Sequence, residues 1–386
     1  MNTKELDSEY IAHTYARFPL EIVSGKGALA YDENGREYID MGSGIAVNTF
    51  GFADDKWVNA VTKQLSSVQH TSNLFYTKPC AELAQLLCNK TGMSKVFFSN
   101  SGAEANECAI KLARAYGEKK GGKDCHTIIC LESSFHGRTL ATLAATGQDV
   151  FHEKFTPLPD GFVFAKANDA QSVRKLVKEN NCCAVFMEMI QGEGGVNVLS
   201  DEFVKEVYEI AKEEDILFMA DEVQTGNGRT GKLYAYMNYG VKPDVFTTAK
   251  GLGGGLPIGA CIMGEKAADL FSYGDHGSTF GANPAVCAGA VNIISRLTDD
   301  YLCEVSKKGE YLKEKLLGVD GVTEVSGMGL MLGVLSEKDS AQVISEAREK
   351  GLLLLKAKNK IRLLPPLNIT YEQLDKAVEI IASCVK

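Results

Sequence analysis

Lys250 closes the apolar run Asp244-Val-Phe-Thr-Thr-Ala and is followed at once by Gly-Leu-Gly-Gly-Gly-Leu-Pro257. A lysine set between a strand and a glycine loop faces whatever that loop admits. Burial there disfavours the ammonium, and a neutral amine is a nucleophile toward an aldehyde, which makes Lys250 a Schiff-base candidate. Taken alone, the residue reads first as a solvated loop lysine. A nucleotide-phosphate loop is excluded by spacing: G-x-G-x-x-G needs glycine where Leu256 stands, and no G-x-x-x-x-G-K-[ST] occurs. A second candidate, Asp221, ends the run Ile216-Leu-Phe-Met-Ala and opens Asp221-Glu-Val-Gln-Thr-Gly-Asn-Gly-Arg229. A carboxylate at a strand end can hold a pyridinium N–H, or it can simply cap the next turn. The third element is Ser99-Asn-Ser-Gly-Ala-Glu104, a small-residue turn between a strand and a helix, where free N–H groups and the helix dipole suit a phosphate. Lysine, aspartate and phosphate turn together supply the protein contacts that pyridoxal phosphate requires.

Positioning those groups calls for strands whose C-terminal ends share one edge. Strands are predicted over 95–99, 127–131, 183–189, 216–220 and 245–248, alternating with helical-period segments, a pattern of α/β folds with a mostly parallel sheet. Ligands of such sheets sit at the carboxyl ends of the strands. A helix over about 103–117 follows the phosphate turn, with Ala109, Leu112, Ala113 and Tyr116 on its apolar positions. Ser200 caps a cover helix that carries Phe203, Val207, Ile210 and Ala211 on one face. Asp32-Glu33-Asn34-Gly35 marks a hairpin near the N-terminus, and the box Thr370-x-x-Gln373 opens the last helix. The expected organisation is a large domain over 45–285, with 1–44 and 286–386 forming a smaller α+β domain.

Composition narrows the function classes. With 41 Lys plus Arg against 50 Asp plus Glu, the net charge of −9 argues against a nucleic-acid binder. The first twenty residues contain no apolar signal core, and the longest apolar runs are strand-sized, far short of the roughly 20 residues that span a bilayer. Eleven cysteines occur without any C-x-x-C, which disfavours a zinc ribbon and fits buried thiols in a reducing cytosol. No metal site is expected, and the localisation expected is cytoplasmic.

Six stretches, Ser99-Asn-Ser-Gly-Ala-Glu-Ala-Asn-Glu107, Phe135-His-Gly-Arg-Thr139, Gln191-Gly-Glu-Gly-Gly195, Asp221 to Gly231, Lys250-Gly-Leu-Gly-Gly-Gly and Ser278-Thr-Phe-Gly281, resemble the class III aminotransferases in order and spacing. The likeness runs from Tyr15 to Arg362-Leu-Leu-Pro-Pro366. It implies the fold-type I transferase fold, pyridoxal 5'-phosphate as cofactor, and a homodimer with shared active sites. By resemblance Lys250 forms the Schiff base, Asp221 binds the pyridine nitrogen, and Gln224 contacts the phenolic oxygen. Ser101, Gly102 and Ala103 would bind the phosphate, Phe135 would stack on the ring, and Thr279 would reach the phosphate of the neighbouring subunit.

A transaminase must take an amino donor and then glutamate or 2-oxoglutarate, and a planar guanidinium suits each carboxylate. The resemblance assigns the donor's α-carboxylate and glutamate's distal carboxylate to Arg138, and glutamate's α-carboxylate to Arg362. Beside an apolar acyl arm, Arg362 would be a buried unpaired cation, which is unfavourable by several kcal/mol. Glu193 resembles the glutamate that neutralises it and then moves away. Tyr15 would shape the donor pocket, and Ser278 belongs to the same substrate-binding set. Gly42-Ser-Gly-Ile-Ala-Val-Asn48 is read as an open glycine pair with room for an acyl tail, favouring N2-acetyl-ornithine as donor and 2-oxoglutarate as acceptor. Ornithine, 4-aminobutyrate and succinyl-diaminopimelate remain alternative donors, and a catalytically silent binding protein of the same fold is the remote alternative. Met189, Ala103 and Ala282 depart from the family's frequent proline, threonine and glycine. The basic run Lys356-Ala-Lys-Asn-Lys360 has no functional account and reads as a solvated face.

Overall fold

The short apolar runs form a seven-stranded central sheet in the computed structural model, which describes residues 1–386. Its strands are β1 (Lys95–Ser99), β2 (Thr127–Leu131), β3 (Phe162–Ala165), β4 (Cys182–Met187), β5 (Leu217–Asp221), β6 (Val245–Thr248) and β7 (Gly259–Met263). In the order β3-β2-β4-β5-β6-β7-β1 the first five are parallel, and β7 is antiparallel to both neighbours. β1 therefore points the same way as β6. The carboxyl ends of β1, β2, β4, β5 and β6 share one edge. Every residue of β4, β5, β6 and β7 is buried, as expected of strands covered by helices on both faces.

Two helices matter most for the site. Gly102–Gly121 starts at the phosphate turn and packs across β4, β6 and β7. It runs four residues past the expected end, until Gly122 takes a φ of +78° that stops it. Asp201–Glu213 is capped by Ser200 Oγ, which accepts from Phe203 N–H at 3.2 Å. It buries Phe203, Val204, Val207, Ile210 and Ala211, and removing one such anchor by Phe203→Ala would destabilise by about 3–5 kcal/mol.

Two further sheets flank the central one. The N-terminal strands Ile22–Lys26, Leu29–Asp32 and Glu37–Asp40 form an antiparallel meander, extended in parallel by Leu352–Leu353. Its turn is fixed by Asp32 Oδ1, which accepts from the N–H groups of Asn34 and Arg36, both at 2.9 Å. The second sheet is antiparallel throughout and holds Val322–Met328, Met331–Ser336, Lys360–Leu363 and Leu355–Ala357. The capping box at Thr370 and Gln373 is present and opens the helix Tyr371–Ala382.

The basic run 356–360 corrects one expectation. Lys356 and Lys358 are exposed, whereas Lys360 is buried. Its strand lies inside the small sheet, so alternation turns Lys360 inward, where Nζ donates to Glu324 Oε1 at 2.7 Å and Ser326 Oγ at 2.9 Å. All eleven cysteines are unpaired, with Cys303 the exposed one. No helix is long and apolar enough to cross a membrane.

Candidate active site

A cavity of about 630 Å³ opens at the carboxyl edge of the central sheet, lined among others by Ser101, Phe135, Arg138, Asp221, Gln224 and Lys250. β5 delivers Asp221 as its last residue, β6 delivers Lys250 two residues beyond its end, and β1 leads into the phosphate turn. Three of the elements singled out in the sequence thus converge, although the phosphate turn lies more than a hundred positions before Asp221 and Lys250 in the chain.

Lys250 is half-buried and holds a left-handed φ of +46°, a conformation that non-glycine residues rarely adopt. Its neighbours fix it there. Asn227 Nδ2 donates to Thr248 Oγ1 at 2.9 Å and to Ala249 O at 3.1 Å, Thr49 Oγ1 to Gly251 O at 2.7 Å, and Trp57 Nε1 to Gly253 O at 3.1 Å. Burial lowers the Lys250 pKa below the usual lysine value; Glu193 and Asp221 oppose the shift and Arg362 adds to it. The result favours the neutral, nucleophilic amine.

Asp221 is buried and held by three donors. Oδ2 accepts from Asn106 Nδ2 and His136 Nδ1, each at 2.8 Å, and Oδ1 accepts from Val223 N–H at 3.0 Å. The carboxylate only accepts, so the hydrogen is assigned to Nδ1 of His136. That leaves His136 Nε2 and Asn106 Oδ1 buried without partners, and both residues line the cavity. Glu188, one residue past β4, accepts from Phe135 N–H at 2.9 Å; burial, reinforced by the nearby Asp221, raises its pKa well above the carboxylate range. Burial thus favours the protonated form of Glu188 beside Asp221. His136, Asn106 and Glu188 were not singled out in the sequence. The signal available was a polar Asn106 on the otherwise apolar face of Ala105, Ala109 and Ala113, and a histidine next to Phe135.

At the phosphate turn the first helical bond is Ala105 N–H to Ser101 O, and Glu104 N–H is taken by Ser101 Oγ at 3.2 Å. The N–H groups of Gly102 and Ala103 precede both and are available to an anion. A Cβ on Gly102 would stand 2.6 Å from Val223 Cγ1, so only glycine lets the turn close on the β5 exit loop. A nucleophilic amine, a fixed carboxylate, an anion-binding helix start and unpartnered polar atoms make a donor set that fits pyridoxal phosphate.

The remaining expected residues fall in three places. Arg138 is exposed at the cavity, its guanidinium 4.5 Å from the Phe151 ring centroid and 5.6 Å from that of Phe135. Tyr15 lines the rim and is 73 % exposed. Arg362 is buried behind Gln224, with Nη1 donating to Glu193 Oε1 at 2.5 Å and Gln224 Oε1 at 3.1 Å, while its Nε has no partner. Ser278 and Thr279 lie outside the Lys250 cavity, in a neighbouring concavity with Asn100, Glu104 and His276; Asn100 Nδ2 reaches Ser278 Oγ at 3.1 Å. The open-glycine reading of 42–48 is corrected. A Cβ on Gly42 would meet Leu355 Cγ at 3.1 Å, and Gly44 belongs to a left-handed turn running from Ser43 to Ala46. Of that segment, only Val47 lines the cavity.

Comparison with known proteins agrees with this geometry. The family profile described as aminotransferase class-III matches residues 10–385. An acetylornithine aminotransferase of Haemophilus ducreyi is 48 % identical over 98 % of this chain and 97 % of its own. Among solved structures, the ornithine aminotransferase of Toxoplasma gondii ME49 superposes with a TM-score of 0.95 at 30 % identity, covering 100 % of this chain and 95 % of that one. The N-acetylornithine aminotransferase of Stenotrophomonas maltophilia superposes with a TM-score of 0.86 at 33 % identity, over 99 % and 98 %. With the family matched along nearly the whole chain and its cofactor's donor set assembled around Lys250, this chain belongs to the class III aminotransferases, which depend on pyridoxal phosphate.

Proposed function

We propose that the chain moves the terminal amino group of N2-acetyl-L-ornithine onto 2-oxoglutarate, giving N-acetyl-L-glutamate 5-semialdehyde and L-glutamate. The observation that carries this reading is the masking of Arg362 by Glu193. With the mask in place the cavity offers one free guanidinium, that of Arg138, which suits a donor with a single carboxylate and a neutral acyl arm. With Glu193 displaced it offers two, which suits a dicarboxylate. The name borne by the Haemophilus ducreyi relative supports the same donor. The likeness to an ornithine aminotransferase keeps free ornithine as the second reading.

Bound pyridoxal phosphate supplies an electron sink that stabilises negative charge on the substrate carbon. Everything else falls to this chain's residues. Lys250 Nζ would carry the cofactor and, once freed, would move the proton from the amine-bearing substrate carbon to the cofactor. Asp221, fixed by His136, Asn106 and Val223, would hold the ring nitrogen's proton. Gly102 and Ala103 N–H groups with Ser101 would hold the phosphate, Phe135 would pack on the ring, and Gln224 would serve its phenolic oxygen. Tyr15 closes the donor side.

The proposal includes a homodimer. Thr279 is exposed beside Phe280, and Asn73 ties that loop to 72–76 by donating to Ser278 O and Gly281 O, both at 3.0 Å. Leu74, Phe75, Tyr76 and Phe280 are exposed there, an apolar surface suited to a second copy. Thr279 would then serve the copy's phosphate, with Ser278 at the shared substrate entrance. Sedimentation at twice the chain mass checks the assembly. We divide the chain into 45–285 and a smaller unit of 1–44 with 286–386, and the unpaired cysteines support a cytosolic setting. For the reaction itself, Lys250→Ala should bind N2-acetyl-ornithine yet form no glutamate; turnover at the wild-type rate without added amine would refute the assignment.

A further inference from the structure

Lys360 and Arg362 stand two positions apart on one strand and so project from the same face of the small sheet. Register extends that face across the sheet, since Arg362 pairs with Gly333 and Gly333 with Ser326. The loop carrying Glu193, between the short strands Ile190–Gln191 and Asn197–Val198, lies directly on it. A Cβ on Gly333 would come within 2.8 Å of Val196 Cβ. Arg362 meets the loop at Glu193, and Ser326 meets it at Val196, donating from Oγ to Val196 O at 2.9 Å. Lys360 Nζ in turn donates to Ser326 Oγ and to Glu324 Oε1.

Val196 is fully buried and holds a φ of +54°, an outlier for a β-branched residue, just after Gly195 at +113°. Such a conformation persists only where its surroundings over-determine it. The clamping chain here is Glu324, Lys360, Ser326 and the Val196 carbonyl. Beside it lies a polar cavity of about 400 Å³ lined by Gln191, Asn197, Ser326 and Lys360 among others, which leaves room for the loop to shift if the clamp is broken.

We propose that Lys360 and Ser326 are positioning residues that set donor specificity by holding the Glu193 loop on the small sheet, so that Glu193 masks Arg362 while the amino donor is bound. This rests on the reading of Glu193 as the mask. Loosening the clamp should unmask Arg362 part of the time, which favours glutamate as donor and disfavours an acyl-bearing monocarboxylate.

The test uses the cofactor-loaded enzyme and rapid mixing with N2-acetyl-ornithine and with glutamate separately, reading the ratio of their half-reaction rate constants. K360M should lower the acetylornithine-to-glutamate ratio by about two- to tenfold, the worth of one lost hydrogen bond. E193Q should lower it further, the double variant E193Q/K360M should match E193Q alone, and K360R should restore it. Should K360M not fold, S326A, which removes the bond to Val196 O and leaves Lys360 paired with Glu324, carries the same expectation. Equal slowing of both half-reactions by K360M, or a K360M effect that adds in full to that of E193Q, overturns the clamp while leaving the mask intact. An unchanged ratio in E193Q removes the mask and the clamp together.

Discussion

His136 Nδ1 donates to Asp221 Oδ2 over 2.8 Å, joining two buried residues 85 positions apart, with the imidazole stacked on Phe186 at 4.3 Å. Asn106 donates to the same oxygen, so neither donor alone fixes the carboxylate. His136→Phe preserves the stack and removes one bond. A buried acceptor that loses a donor is disfavoured by about 1–3 kcal/mol, so kcat should fall roughly 5- to 150-fold with weaker cofactor retention on dialysis. Steady-state rates and the absorbance of the dialysed variant check both.

Glu188 gives a pH dependence of known sign. Its pKa is raised in the folded protein, chiefly by burial. The stability it contributes is therefore present below the unfolded carboxyl pKa and is lost as pH rises through the higher folded value. Glu188→Gln, an isostere of the neutral acid, should stay active, and its melting temperature should decline less between pH 5 and pH 8 than that of the wild type. A steeper decline in the variant would contradict the neutral-acid assignment.

Gly102→Ala places a methyl group 2.6 Å from Val223 Cγ1, at the point where the phosphate turn closes. The turn must open, and the N–H groups of residues 102 and 103 shift with it. Titration of the apo-protein with pyridoxal phosphate should show affinity reduced by about tenfold or more, with far smaller loss of thermal stability in the apo form.

Arg362→Lys keeps the charge and loses the planar fork. Half-reactions with glutamate should slow by about a hundredfold while those with N2-acetyl-ornithine change less than about tenfold, because only the dicarboxylate needs a second bidentate partner. Equal losses for both substrates would show that Arg362 does not discriminate between them.

Lys250, Asp221 and the Ser99–Glu104 turn were legible because each sits where an apolar strand run stops, a local feature of the sequence. Five of the seven central strands were legible for the same reason, within two residues, whereas β3 and β7 were not singled out. The support around Asp221 was not, since Asn106 and His136 meet it only after β2, β4 and β5 are laid side by side. Lys360 was misread because a basic run looks like a solvated face until the sheet that takes up its last residue is known. Gly42 was misread because free space around a glycine depends on Leu355, more than three hundred positions away.

The central claim is most directly tested by following the absorption band of lysine-bound pyridoxal phosphate in a single turnover with N2-acetyl-ornithine, ornithine, 4-aminobutyrate and succinyl-diaminopimelate in turn. N2-acetyl-ornithine should convert the band much faster than free ornithine, and 2-oxoglutarate should restore it. Faster conversion by free ornithine or 4-aminobutyrate would contradict the proposed donor, and failure to develop any band after adding the cofactor would contradict the site itself.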